Sequence, residues 1–132
     1  MKPNNEQNLR EFIAAWGSGY DGVVAAYRKY LADDIIWDQS PLAVTRTLDE
    51  ATALLADFRD KVGLAMFPAD VLALVVRGEV GFAERIDHLT KEDGVVLASF
   101  PVTGVFRFDA EGKIVYWREY FDSAPVVRAM AG

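Results

Sequence analysis

The stretch VTGVFRFDAEGKIVYWREYFD, residues 102–122, indicates two neighbouring β-strands joined by a short turn. Apolar residues dominate both halves, and the polar segment between them ends in Gly112, where a hairpin favours positive φ. Because alternate residues of a strand point to opposite faces, Trp117, Glu119 and Phe121 share one face. That face holds a carboxylate between two aromatic rings. Since burial of an unpaired carboxylate is costly, Glu119 needs a partner, a proton or a chemical role.

Helices precede these strands along the chain. The helical spacing of apolar residues predicts one helix ending near Gly17, a second starting at about Asp21 and a third within residues 47–66. The segment DDIIWDQSP predicts a short strand ended by Pro41. From Asp70 onward the pattern predicts strands over residues 70–78, 80–90, 95–108 and 114–122.

Helices followed by antiparallel strands are typical of the α+β class. The length of 132 residues fits a single domain, residues 1–132, that is large enough for a substantial core. A curved sheet wrapped around the helices would form a cone with one open end, and such a cone makes a pocket. The periodicity predicts the elements, but it does not by itself supply the cone.

The composition argues against several classes of partner. A net charge of -6 does not favour nucleic acid, and no apolar run approaches the ~20 residues needed to span a bilayer. The chain has no cysteine and a single histidine, His88, so neither a thiolate nucleophile nor a metal site is favoured. Its polar N-terminus does not resemble a secretory signal, and we expect a cytoplasmic protein.

The segment FAERIDHL, residues 82–89, carries a second group of charges. Arg85 and Asp87 share a strand face with Ala83 and Leu89; the opposite face carries Phe82, Glu84, Ile86 and His88. Neither face is uniformly apolar, so the inward face stays open. In one interpretation Arg85 and Asp87 form a solvated surface pair, worth roughly 0–1 kcal/mol. In the other, Arg85 lies between Asp87 and Glu119 in a pocket, where a proton shared unequally provides one acid and one base.

Other polar residues give weaker signals. Trp37 and Gln39 share a face of the strand IIWDQ, and the simplest interpretation makes Trp37 part of the core and Gln39 a strand-end polar group. His88 points away from Asp87 on its strand, which favours a surface or satisfied-core role. The serines lie in no nucleophile elbow, and no histidine lies near them in sequence to activate them.

The segments AERIDHL and VTGVFRFDAEGKIVYWREYFD resemble the limonene-1,2-epoxide hydrolase family, within the superfamily of nuclear transport factor 2, ketosteroid isomerase and polyketide cyclases. This resemblance implies a cone-shaped, mixed β-sheet around about three N-terminal helices, with a deep apolar pocket, commonly in a homodimer. It also implies one-step hydrolysis of a small apolar epoxide without a covalent intermediate, and no metal or organic cofactor.

The resemblance further assigns a role to each candidate catalytic residue. Asp87 would be the general acid and Arg85 the bridge to the second carboxylate. Glu119, Gln39 and Trp37 fall where the family has an aspartate base, an asparagine and a tyrosine around the attacking water. Glutamate and glutamine keep the functional groups but lengthen each side chain by about 1.5 Å. The indole N–H of Trp37 can only donate a hydrogen bond.

Three classes of function therefore remain open. The first is an epoxide hydrolase, and the second is an isomerase, dehydratase or cyclase that acts on a small apolar substrate in the same pocket. The third is a ligand-binding or dimerisation module without chemistry, since a fold does not settle a function. Incorporation of solvent oxygen into the product distinguishes the first class from the second.

Overall fold

The computed structural model describes residues 2–131, in which helices and strands alternate early and strands dominate later. The helices are α1 (Asn5–Ala14), α2 (Tyr20–Tyr30), α3 (Leu48–Val62) and α4 (Ala124–Met130), with a 3₁₀ turn at Ala15–Gly17. The strands are β1 (Leu31–Gln39), β2 (Ala43–Thr45), β3 (Leu64–Met66), β4 (Ala69–Arg77), β5 (Val80–Lys91), β6 (Val96–Phe108) and β7 (Ile114–Phe121).

All seven strands belong to one curled, mixed sheet. The strand order is β2-β1-β7-β6-β5-β3, and β4 also pairs with β5. The β1–β7 pair is parallel, whereas the long strands β5, β6 and β7 pair antiparallel. The sheet forms a half-barrel around the helices, which confirms the α+β cone that the resemblance implies.

The helices fill the concave side of this sheet. Leu9, Phe12 and Ile13 lie on one face of α1 at helical spacing, and all three are buried in the core. The third helix is shorter than the sequence pattern suggests: α3 ends at Val62, because Gly63 adopts the left-handed conformation (φ +76°) and residues 64–66 form β3. Within residues 2–131, no helix combines the length and the hydropathy that crossing a bilayer requires.

The structure decides which face of β5 points inward. Arg85 and Asp87 lie on the concave face, where their exposed fractions are 0% and 5%, and Phe82 on the convex face is 48% exposed. The solvated surface pair is therefore the wrong interpretation. The charged groups of β5 face the core, and an aromatic ring faces outward.

Candidate active site

Three adjacent strands bring the predicted charged residues together. Ala83 of β5 pairs with Gly104 of β6, and Gly104 pairs in turn with Glu119 of β7. Arg85 follows two residues after Ala83 on the same face. Because Gly104 has no side chain, the guanidinium of Arg85 can cross the middle strand and reach Glu119.

Arg85 holds both carboxylates at once. Its Nε and Nη2 atoms donate to the two carboxylate oxygens of Asp87, at 3.0 and 2.9 Å. Its Nη1 atom donates to Oε1 of Glu119 at 3.1 Å, and Nη2 also donates to Oε2 of Glu119. All three side chains are buried. The result is one Arg85–Asp87–Glu119 cluster, in which a single cation links two acids.

The charges of this cluster favour the binding of one proton. Burial raises the pKa of Glu119 above its ordinary value. The charge of Asp87 also raises this pKa, whereas Arg85 and the hydrogen bond from Trp117 lower it, and the net shift is upward. Burial alone would lower the pKa of Arg85, but the two carboxylates raise it, so the guanidinium stays charged. One cation with two ionised carboxylates leaves a net negative charge in a buried site. One added proton removes that charge.

Aromatic rings enclose the cluster. Trp117 stacks on Trp16 (centroids 5.2 Å apart) and on Trp37 (4.9 Å), and the Trp16 ring lies 4.7 Å from the guanidinium carbon of Arg85. The indole Nε1–H of Trp117 donates to Oε1 of Glu119 at 2.7 Å. The sequence pattern identifies Trp117 only as an apolar neighbour of Glu119 on the same strand face. The hydrogen bond between them is a finding of the structure.

The cluster faces a largely apolar cavity of about 510 Å³. Asp87 and Glu119 line this cavity, together with Trp37 and Gln39 from β1. Apolar side chains from α3, β6 and α4 also line it, including Leu54, Leu55, Phe58, Phe100, Val126 and Met130. The volume is within the usual range for a small-molecule site.

Trp37 and Gln39 line the cavity but do not bond to the cluster. Their Nε1 and Nε2 atoms are buried, and neither has a hydrogen-bond partner within residues 2–131. The hydroxyl of Tyr27 is also buried and has no hydrogen-bond partner within residues 2–131. Burial, followed by the negative charges of Glu119 and Asp87, raises the pKa of Tyr27 well above its ordinary value. Buried donors without a protein partner are uncommon, so Trp37 and Gln39 provide two unused donors at the wall of the apolar cavity.

His88 lies in a separate polar group on the convex face. Its Nδ1 and Nε2 atoms lie 2.7 Å from Ser99 Oγ and 2.8 Å from Asp70 Oδ2. Sequence proximity does not indicate this contact, because strand pairing aligns His88 with Ser99 from eleven residues away. None of these three side chains lines the cavity described above.

Gly104 permits the close approach of the cluster. A Cβ atom at this position would lie 2.5 Å from Glu119 Oε1 and 2.7 Å from Arg85 Nη1. We therefore expect Gly104→Ala to displace both groups and to lower the free energy of unfolding by about 1–3 kcal/mol. Urea denaturation measures this loss. The control is Thr103→Ala, an exposed change on the other face of β6; equal stability of both variants would contradict the prediction.

The family model of the limonene-1,2-epoxide hydrolase catalytic domain matches residues 3–131. The chain belongs to the limonene-1,2-epoxide hydrolase family. This family member carries Arg85 and Asp87 in one strand and Glu119 in the strand two places away.

Solved structures agree with the fold of this limonene-1,2-epoxide hydrolase family member. An LEH-like epoxide hydrolase from Mycobacterium tuberculosis is 22% identical, with a TM-score of 0.74 over 98% of this chain and 91% of that one. An NTF2-like protein of unknown function from Burkholderia pseudomallei is 21% identical (TM-score 0.77; 98% and 99% covered). A protein described as a SnoaL-like polyketide cyclase, from Jannaschia sp. CCS1, is 14% identical (TM-score 0.75; 99% and 94% covered). No curated protein matches the sequence. At these identities the likeness shows the fold alone.

Proposed function

We propose that the protein is an epoxide hydrolase that converts a small apolar epoxide into a vicinal diol in one step. The observation that carries this proposal is the buried guanidinium of Arg85, which bridges Asp87 and Glu119 at the wall of an apolar cavity. Opening of an epoxide by water needs an acid at the ring oxygen and a base at the water. Two carboxyl groups that share one proton supply both.

The proposed reaction balances without a covalent intermediate. In the roles that the family resemblance assigns, Asp87 donates the shared proton to the epoxide oxygen while Glu119 removes a proton from water. The raised pKa makes Glu119 a stronger base but also favours the proton on Glu119, so the reactive form is the one in which the shared proton lies on Asp87. The water oxygen bonds to a ring carbon as the carbon–oxygen bond of the epoxide breaks, which leaves two hydroxyl groups. The proton gained by Glu119 then returns to Asp87, and Arg85 keeps its charge throughout. Each proton transfer is worth roughly 100- to 10,000-fold in rate.

Two residues of β1 are proposed to hold the attacking water. The Trp37 indole N–H can donate to the oxygen of this water, and the Gln39 amide offers both a donor and an acceptor. Neither Nε1 of Trp37 nor Nε2 of Gln39 has a hydrogen-bond partner within residues 2–131, and these two unused donors support the assignment. Both side chains line the same cavity as Glu119. This water site differs chemically from one built with tyrosine and asparagine, since the indole cannot accept a hydrogen bond.

Product analysis in oxygen-18 water tests the proposed function. Wild-type protein is incubated with epoxides that range from cyclohexene oxide to limonene oxide, beside a Glu119→Gln variant. Mass spectrometry should detect diol with one solvent oxygen from the wild type, and a loss of about 100-fold or more in the variant. Equal diol formation by both proteins would contradict the proposal. Absence of labelled diol from every epoxide in the panel would do so as well.

A second candidate function is an isomerase that acts on a small ketone. The two unpartnered donors, Trp37 Nε1–H and Gln39 Nε2–H, favour it because such a pair can stabilise the enolate oxygen that forms when a carboxylate removes an α-proton. An isomerase exchanges substrate protons with deuterium oxide and need not incorporate solvent oxygen. The same substrate panel, extended to isomerisable ketones, therefore separates the two reactions.

The proposal includes a homodimer formed through the convex face of the sheet. Val75 and Phe82 pair across β4 and β5 on this face and are 61% and 48% exposed. We expect a dimer by light scattering for the wild type and a monomer for Phe82→Asp, because a buried unpaired carboxylate opposes association. The matched control is Val95→Asp, a change at a similarly exposed apolar residue in a turn. A monomeric wild type would contradict this prediction.

A further inference from the structure

We infer that Trp117 is a positioning residue for the Glu119 carboxylate: its indole N–H holds Oε1, so that Oε2 receives the proton of the reaction. This inference rests on the proposed function for its catalytic meaning. The contact itself is independent of the reaction. Its donor–acceptor distance of 2.7 Å is that of a strong hydrogen bond, and both residues are buried.

The number of acceptor positions on Glu119 determines which oxygen is free. An ionised carboxylate offers about two acceptor positions on each oxygen. Oε1 accepts from Trp117 Nε1 and from Arg85 Nη1, so both of its positions are used. Oε2 accepts from Arg85 Nη2 and keeps one position. A proton taken from water or from a substrate carbon is therefore directed to Oε2.

The surrounding rings keep the Trp117 donor in place. The Trp117 indole stacks nearly parallel to Trp16 and to Trp37, at an interplanar angle of 14° in each case. Phe12 meets it edge-on at 5.3 Å between centroids. Because these contacts cover the ring, rotation of the indole away from Glu119 would require displacement of buried aromatic neighbours. Trp117 is thus a rigid donor rather than a mobile one.

Other polar and charged groups lie near Glu119, and their influence on its ionisation must be distinguished from that of the Trp117 hydrogen bond. Arg85 and Asp87 face it from β5, the neutral phenol of Tyr27 faces it from α2, and Lys61 of α3 lines the same cavity. Trp117 differs from all of them because it is an uncharged donor that bonds to Glu119 directly. Removing only its N–H therefore changes one hydrogen bond and no charge.

An isosteric replacement of the indole tests this inference. Trp117 is replaced by β-(3-benzothienyl)alanine, which keeps the bicyclic shape and lacks the N–H. The control is the same replacement at Trp16, whose Nε1 has no hydrogen-bond partner within residues 2–131 although its ring also stacks on Trp117. Both proteins carry glutamate labelled with carbon-13 at Cδ, and Glu119→Gln identifies the Glu119 signal. The titration midpoint of this signal is measured by NMR.

We expect the midpoint of Glu119 to rise by about one to two pH units in the Trp117 variant, since the lost bond stabilises the ionised form. The Trp16 variant should stay within about 0.3 units of wild type. If the panel contains a substrate, the acid-side limb of the kcat/KM profile should move upward by the same amount. An unchanged midpoint, or equal shifts in both variants, would overturn the inference.

A measurement on the wild-type protein covers the case in which the Trp117 variant does not fold. The nitrogen-15 and proton signals of the three indole groups are followed through the same pH range. The Trp117 signal should move with the midpoint of Glu119, and a constant Trp117 signal would overturn the inference. Neither NMR experiment needs turnover. A wrong positioning role and a wrong reaction are therefore distinguishable.

Discussion

Replacement of Asp87 by asparagine will lower diol formation by about 100- to 10,000-fold and leave the fold intact. Asparagine has nearly the same size and still accepts from Arg85, but it has no acidic proton to give to the epoxide oxygen. Asp87 lines the cavity and is 5% exposed, so bulk water does not easily replace it as the acid. Initial rates of diol formation, with circular dichroism as a check on folding, measure this effect.

The matched control for this change is Asp70→Asn. Asp70 lies on β4 in the same sheet, but its side chain is 71% exposed and bonds to His88 outside the cavity. Its replacement should change the rate less than threefold if catalysis depends on the cavity, since surface pairs contribute little. If Asp87→Asn retains most of the wild-type rate, Asp87 is not the acid, and the roles of the two carboxylates must be reconsidered.

Replacement of Arg85 by methionine will reduce the free energy of unfolding at neutral pH by about 3–5 kcal/mol. The change leaves Asp87 and Glu119 buried next to each other without their cation. The loss should also depend on pH. Without Arg85 the pKa of Glu119 rises further, so the folded protein binds more protons than the unfolded chain between the ordinary value and the raised one. The free energy of unfolding therefore falls as pH increases through that window.

Thermal unfolding at about pH 5 and about pH 8 measures this dependence. The control is Arg118→Met, since Arg118 also pairs with a carboxylate, Asp38 at 2.8 Å, but its side chain is partly exposed. That change should cost about 1 kcal/mol or less at either pH. A pH-independent loss in Arg85→Met would mean that lost packing, and not the uncompensated carboxylates, causes the destabilisation.

Much of the fold was predictable from local patterns in the chain. The apolar spacing in α3 and the alternation in WREYF depend on residues within one element, and the structure retains both. The burial of Glu119 between Trp117 and Phe121 on one face also follows from the period of a strand. The end of α3 was not predictable from the apolar spacing, since Gly63 ends the helix and residues 64–66 form β3.

The geometry of the site depended on contacts that no local pattern contains. Both faces of β5 mix apolar and charged residues, so the inward position of Arg85 follows only from its neighbours β6 and β7. The parallel pairing of β1 with β7, which sets Trp37 against Trp117, joins residues eighty positions apart. The His88–Ser99 contact likewise required the register of two strands. The family resemblance predicts that Arg85, Asp87, Glu119, Gln39 and Trp37 share one site. It does not predict the Trp117 hydrogen bond.

The fluorescence of the stacked tryptophans reports on the environment of the Arg85–Asp87–Glu119 cluster. The sequence has three tryptophans, and all of them are buried around the Arg85–Asp87–Glu119 cluster. Excitation at the red edge of the absorption band therefore produces fluorescence that comes entirely from this region, with no contribution from a distant indole. A ligand that enters the cavity, or a proton that binds the cluster, should alter the emission directly. Binding of unreactive compounds can thus be followed without a label and before any substrate is known.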